Sequence, residues 1–420
     1  MNMAVDNARL LILATDKYPP FRVDVTVLLA RELVSRGFSI DWILQSEREC
    51  RKPSRQRWGG GVVYVGQTDS GESRTRRFRK HVLDLLNDLR VLSLVRNRDY
   101  DVIQVRDKAL AALPALWAAR RSGAAFVYWL SFPHAESSTY LARAGLARYP
   151  VLYRIRGWCL FQLMYRFILP RADHIFVQSE QMKRDLASYG IPQDRMTPVP
   201  MGIELDDFTA SLRNPAEAVE PATIGYLGTL AGERRIDFLV RCLALVLPQV
   251  PEARLLLVGG SDRPTDEQKI RAEAQRLGVA DRVEITGFVP RARALQLITR
   301  AAVCVSPFYP TPILNSTSPT KLVEYMALSK PVVANDHPEQ RLVLEESRAG
   351  LCVSYDERAF ANAIVSILMD PEEAARMGQR GREYVERNRD YRRLGAKLAD
   401  KYREIIARGM RRELAAWKNG

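Results

Sequence analysis

The sequence predicts an α/β protein built from two Rossmann-like domains, each a parallel sheet covered by helices. Three observations lead there. The chain has 420 residues, 47% hydrophobic and 27% charged, which is ordinary globular composition with core material for two to three domains. Apolar runs of strand length alternate with stretches of helical periodicity, the pattern of parallel strands buried on both faces. That alternation breaks at 209–222 (TASLRNPAEAVEPA), a polar, proline-bearing segment, and then restarts. The expected division is therefore a first domain over 1–208, a linker over 209–222, a second domain over 223–385 and a helical tail over 386–420.

Leu10–Thr15 reads as the first strand, stopped by Asp16-Lys17-Tyr18-Pro19-Pro20. Apolar residues from Val25 to Val34 then recur at helical spacing, and Gly37 is the natural stop. Ser39–Leu44, Asp101–Val105, Ala125–Leu130 and His174–Gln178 are the further strands of this half. Beyond the break come strands at Thr223–Leu227, Arg254–Val258, Val283–Thr286, Val303–Ser306, Pro331–Ala334 and Leu351–Val353. Helices are expected at Arg235–Leu247, stopped by Pro248, and at Asp266–Leu277, with a charged, helix-rich end from Glu357. Open parallel sheets bind ligands outside the carboxyl ends of their strands, so two such halves imply a cleft between domains.

Lys and Arg number 63 against 49 Asp and Glu, a formal charge of +14. A basic surplus attracts phosphate, whether of nucleic acid, an anionic membrane or a phosphorylated substrate. The nucleic-acid reading lacks any recognised motif, and the charge is spread over both halves. Cysteines and histidines are scattered without ligand spacing, which predicts no metal site and reduced thiols in a cytoplasmic setting. There is no secretory leader pattern and no run of about 18 apolar residues. Tyr140–Arg171 carries six arginines and no acids, interleaved with aromatics such as Tyr149, Trp158 and Phe167. That composition suits peripheral docking on an anionic membrane face, and equally a core helix pair whose arginines reach solvent along their stems. Arg74–His81 is a second basic cluster.

The sharpest local feature is Ser318-Pro319-Thr320-Lys321-Leu322-Val323-Glu324. It reads as a helix start, with Ser318 as cap and Pro319 in the first position. Free N–H groups there suit a diphosphate. Thr320 adds a hydroxyl and Lys321 a cation, and Glu324 is placed to accept from sugar hydroxyls. Taken alone, these residues also describe a plain cap with a solvated lysine. The second feature is Gly225–Arg235 (GYLGTLAGERR), a strand ending in glycines with Arg234 able to pair with phosphate oxygens. It matches neither G-x-G-x-x-G nor the P-loop.

Together these motifs resemble the family-4 retaining glycosyltransferases of GT-B fold. The resemblance runs through Gly228 and Arg234, Leu255–Gly260 (LLLVGG), Val283–Pro290 (VEITGFVP), Cys304–Pro307 and Glu324–Asp336 (EYMALSKPVVAND). In the first half it includes Ala172–Leu186 and Val199–Phe208. It implies two sheets facing a central cleft, C-terminal helices packing back across the domains, and nucleotide-sugar chemistry with no resident cofactor or metal. The donor would be UDP- or GDP-linked, and the acceptor a hydroxyl of a saccharide or lipid-linked molecule. Polysaccharide or glycolipid synthesis at the inner face of a membrane follows as the setting.

Residue by residue, Arg234 stands where the family has a lysine on the donor diphosphate. Thr229 stands where an arginine makes a second contact, a loss that Lys321 is placed to offset. Glu324 matches the second glutamate of the family's pair, which holds the ribose, while the first position is Ser316. Phe288 and Val289 resemble the segment flanking the nucleobase. The family's histidine after the Ala125–Leu130 strand corresponds to Ser131, with His134 three residues on, either reaching the cleft or lying on a surface loop. His337 and Glu339 either border the donor sugar or cap the next helix. The departures at Ser316 and Thr229 leave open a protein that binds nucleotide-sugars without turnover.

Overall fold

The computed structural model describes residues 7–50, 52–69, 71–213 and 218–418, with backbone alone at 74, 213 and 410–418. The chain divides into two compact units, one of Met1–Pro200 with Tyr391–Gly420 and the other of Met201–Asp390.

The first unit is built on an eight-stranded sheet. Its strands are β1 (Arg9–Tyr18), β2 (Ser39–Ser46), β3 (Ser54–Trp58), β4 (Gly61–Gly66), β5 (Val102–Arg106), β6 (Ala125–Leu130), β7 (His174–Val177) and β8 (Met196–Pro198). The order is β3-β4-β2-β1-β5-β6-β7-β8, with every pair parallel except β3–β4. Leu10 to Leu13 are buried on both faces of β1, so the continuous apolar run is that of a central parallel strand. The helix after β1 ends at Gly37, at φ +88°, a conformation glycine adopts without steric cost.

No strand is expected from the sequence at β3, β4 or β8. Ser54–Trp58 (SRQRW) is polar because β3 is an exposed edge, where apolar alternation has no face to bury. Its hairpin signal was nonetheless present. Gly59 and Gly60, at φ +58° and +83°, form the two-residue turn that joins antiparallel strands.

The second unit carries a six-stranded parallel sheet of β9 (Glu220–Leu227), β10 (Arg254–Val258), β11 (Val283–Ile285), β12 (Ala301–Ser306), β13 (Val332–Asn335) and β14 (Gly350–Val353). The order is β11-β10-β9-β12-β13-β14. Every strand expected in this half is present. The expected linker is different. A helix, Leu205–Arg213, occupies part of 209–222 and belongs to the second unit, where Phe208 is fully buried among Leu256, Leu295 and Met326. Burial of Phe208 draws this segment inward despite its polar neighbours, and 214–217 lie outside the described residues. The chain passes between units at Pro200–Met201 and again at Asp390–Tyr391.

That second passage splits the expected tail. The helix Pro371–Asn388 stays with the second unit, whereas Tyr391–Lys418 returns to the first. Tyr391, Leu394, Leu398, Tyr402 and Ile405 enter the first unit's core beside Leu28 and Trp129. The Tyr402 ring lies 5.9 Å from Phe38 and 5.2 Å from Phe176, and its hydroxyl bonds the buried Gln104 side chain. Tyr402→Ala should therefore cost about 3–5 kcal/mol of first-unit stability in urea unfolding, while the exposed Lys397→Ala stays within about 0.5 kcal/mol.

Candidate active site

In the second unit, two glycines end adjacent strands. Gly228 follows β9 at φ +147° and Gly259 follows β10 at φ +143°. The Gly228 N–H donates to the Val258 carbonyl at 2.9 Å, and the Leu230 N–H to the Gly260 carbonyl at 2.8 Å. A Cβ on Gly259 would stand 2.0 Å from the Gly228 carbonyl oxygen, and one on Gly228 would stand 2.4 Å from Cε of Lys321. The strand ends thus leave room for a lysine side chain and for no side chain of their own.

Lys321 is the second residue of the helix Thr320–Ala327. Tyr325 locks that helix to the end of β9, its hydroxyl accepting from the Leu227 N–H at 2.8 Å. The Lys321 ammonium sits 5.5 Å from the centre of the Tyr226 ring. Burial and then the neighbouring Arg234 charge push its pKa down to about 8, against the pull of Glu324. Arg234 is exposed on the turn Gly232–Arg234, 5.9 Å from the Phe308 ring centre. With Thr229, Tyr309 and Leu314 it lines a groove of about 380 Å³.

Glu324 lies one turn beyond Lys321 and accepts from Arg291 at 3.3 Å. Arg291 opens the helix that follows Phe288-Val289-Pro290. Phe288 is exposed, and Val289 half-buried. A Cβ on Gly260 would meet Phe288 at 3.0–3.1 Å, so this segment too is pressed against the glycine-ended strands.

Ser318 does not cap the Lys321 helix. The helix begins at Thr320 with Pro319 before it and no side-chain cap, which leaves its first-turn N–H groups open to a ligand. The Ser318 hydroxyl turns instead to the Met201 N–H at 3.1 Å and to the Glu339 carboxylate at 3.5 Å. Glu339 pairs with Arg389 at 2.7 Å, both side chains buried. His337 caps the helix Pro338–Ser347, accepting from the Glu339 N–H at 3.2 Å, and its other ring nitrogen meets the Leu314 carbonyl at 2.7 Å. His337 and Glu339 are thus fixed as cap and buried counter-ion, and His337 also pins the turn Leu314–Ser316 that carries the buried Ser316.

In the first unit, His134 is exposed at the start of the helix His134–Arg143 and lines a cavity of about 600 Å³. Ser131, where the family pattern has histidine, gives its N–H to Asp107 at 2.8 Å, and its hydroxyl bonds the same carboxylate. Asp107 itself sits at φ +56°, a backbone conformation that is sparsely used and gathers at ligand sites.

Two charged clusters here were missed from the sequence. Arg106, fully buried at the end of β5, pairs with Asp24 and lies 3.9 Å from Asp16, with the Trp129 ring centre 5.1 Å away. Burial works against the Asp24 carboxylate, yet Arg106 and Arg22 outweigh it and hold its pKa at about 2. Lys108 bridges Asp84 at 2.8 Å and Asp88 at 2.7 Å. The available signal was the charge run Arg106-Asp107-Lys108 directly behind an apolar strand. Among the described residues, no group of three or more His, Cys, Asp or Glu is placed to hold a metal ion.

Two α/β units on largely parallel sheets, the second with two glycine-ended strands and a lysine beneath one of them, have the architecture of a GT-B glycosyltransferase. The sequence comparisons agree. The model of the family described as Glycosyltransferase Family 4 matches residues 24–207, and that of Glycosyl transferases group 1 matches 221–370. The chain is a glycosyltransferase of GT4/GT-B type. A GDP-mannose-dependent alpha-(1-6)-phosphatidylinositol monomannoside mannosyltransferase of Mycobacterium tuberculosis is 26% identical over 93% of this chain and 97% of its own length. A D-inositol 3-phosphate glycosyltransferase of Xylanimonas cellulosilytica is 28% identical over 57% of this chain, and the match spans 59% of that relative. Among solved structures, the sucrose-phosphate synthase of Thermosynechococcus elongatus superposes with a TM-score of 0.69 at 20% identity, over 96% of this chain and all of that one.

Glu324 and Glu339 of the second unit should separate cleanly by stability. Glu339→Gln leaves the buried Arg389 charge uncompensated and should cost about 3–5 kcal/mol in chemical unfolding. Glu324→Gln breaks only its pair with the half-exposed Arg291 and should cost less than about 1 kcal/mol.

Proposed function

We propose that this enzyme moves a sugar from a UDP- or GDP-linked donor to a hydroxyl of a saccharide or lipid-linked acceptor, with retention at the anomeric carbon. One observation carries the reading: the half-buried Lys321 ammonium has no hydrogen-bond acceptor among the described residues, and it stands at an uncapped helix start beneath Gly228. A cation without an acceptor, beside free N–H groups, suits the negative charge that develops on a departing nucleoside diphosphate. In this reading Lys321 and Arg234 stabilise that leaving group. The backbone at Gly228 and Thr229 and the Thr320 hydroxyl line the phosphates, with Ser318 supporting the turn before them. Glu324 accepts from the ribose, Phe288 and Val289 flank the base, Ser316 borders the sugar, and His134 serves the acceptor side. The mannosyltransferase relative, whose name states GDP-mannose and phosphatidylinositol monomannoside, supports the donor class and a lipid-linked acceptor.

A panel of UDP- and GDP-sugars, assayed for released diphosphate and for glycosylated acceptor, tests this directly. Lys321→Ala should lower kcat by about 10²–10³-fold. The pH profile carries a sign. A lysine with its pKa lowered to about 8 is a cation below that pH and loses its charge above it. The rate should therefore fall as pH rises through about 8, and Lys321→Arg, charged throughout, should remove that step. A protein that binds donor yet never releases diphosphate would overturn the proposal.

Peripheral membrane docking through 140–171 is the second part of the reading. The helix Pro150–Phe161 exposes Leu152, Ile155 and Trp158 together with Arg154 and Arg156, while no helix among the described residues is long and apolar enough to cross a membrane. Flotation with phosphatidylglycerol liposomes should drop several-fold in the Ile155→Glu, Trp158→Glu double variant. Equal flotation would count against docking by this face.

A further inference from the structure

The cavity beside His134 encloses about 600 Å³, a volume in the range of small-molecule sites. It opens where ligands of parallel sheets bind, since Thr15 on β1, Asp107 just past β5 and Leu130 at the end of β6 all line it. Much of its exposed wall is apolar, unlike a sugar site. Leu85, Leu110, Leu160, Leu163 and Met164 contribute apolar surface, where a saccharide would want convergent donors and acceptors. The charges it contains are largely spoken for, because Lys108 is clasped by Asp84 and Asp88.

Arg156 also lines the cavity and has no acidic partner among the described residues. Its guanidinium rests 6.0 Å from the Tyr153 ring centre. His81 and His134 stand in the same lining. Two helices wall the cavity, Arg74–Asp88 through Leu85 and Pro150–Phe161 through Leu160. Both are apolar on the outside as well. Phe78 and Leu86 are exposed on the first, and Leu152 and Trp158 on the second. An apolar chamber framed by two helices with greasy, cationic outer faces fits a chain that enters from a lipid layer.

We propose that this cavity holds a single apolar chain of an anionic lipid acceptor, with Arg156 meeting its phosphate head. The inference rests on the lipid-linked acceptor reading above. It makes the chain itself a recognition element of the first unit, separate from the sugar hydroxyl that reacts.

Calorimetric titration of the donor-free protein with octyl, decyl and dodecyl phosphate below their micellar concentrations tests it. Each added methylene should tighten binding roughly fourfold, and decyl trimethylammonium should bind at least tenfold more weakly than decyl phosphate. Leu163→Trp, which fills the chamber, should abolish the chain-length slope. Arg156→Glu should keep the slope and lose the preference for phosphate. An unchanged circular dichroism spectrum and thermal unfolding midpoint serve as the folding control for both variants. A slope that survives Leu163→Trp, or binding indifferent to chain length, overturns the proposal. Transfer to short soluble acceptors in that event would leave the glycosyltransferase reading standing, whereas chain binding without any transfer would sustain the pocket and sink that reading.

Discussion

A cation taken out of water has to be answered by an anion or by oriented oxygen atoms, and the buried cations of this chain mostly are. Arg106 is answered by Asp24, Lys108 by Asp84 and Asp88, Arg389 by Glu339, and Lys330 by the Thr299 carbonyl at 2.6 Å. These pairs fasten strand ends and helix starts to one another, and so set the geometry in which chemistry occurs. Lys321 breaks the pattern. It is held by packing under Gly228 and against Tyr226, and burial together with the neighbouring Arg234 charge depresses its pKa despite Glu324. The surroundings of Lys321 are, in effect, the place where this rule is left for a ligand to complete.

Much of this was legible in the sequence, and the reason is physical. Parallel strands buried on both faces leave unbroken apolar runs, so β1, β6, β9 and β10 are visible as LLILAT, AFVYWL, TIGYL and RLLLV. Glycines that admit close backbone approach are equally visible, as at Gly228 and Gly259. Polar edge strands hide, as β3 does, because their register comes from a neighbour rather than from a buried face.

The site was read less completely, since a motif names residues but not their partners. Ser318 looked like a cap because serine before a proline usually is one. Tertiary contacts drew its hydroxyl toward Met201 and Glu339 and left the cap position to Pro319. Arg106 and Lys108 were passed over because their acids, Asp24 and Asp84, are 82 and 24 residues away. Distance along the chain conceals such pairings from any local pattern. His337 was undecided between two roles until both its ring nitrogens were seen to be engaged by backbone.

The return of Tyr391–Lys418 to the first unit has a consequence for how the chain is made. The second unit, Met201–Asp390, is contiguous and can close as soon as it leaves the ribosome. The first must wait with part of one sheet face uncovered, since Tyr402 and Leu398 arrive only after the whole of the other unit has been synthesised. Until then Phe38, Phe176 and Trp129 lack part of their cover, a state in which chains are prone to aggregate. Co-translational assembly thus runs backwards here. The unit encoded first is finished last, and a nascent chain stalled before Tyr391 would carry a finished second unit beside a first unit still open.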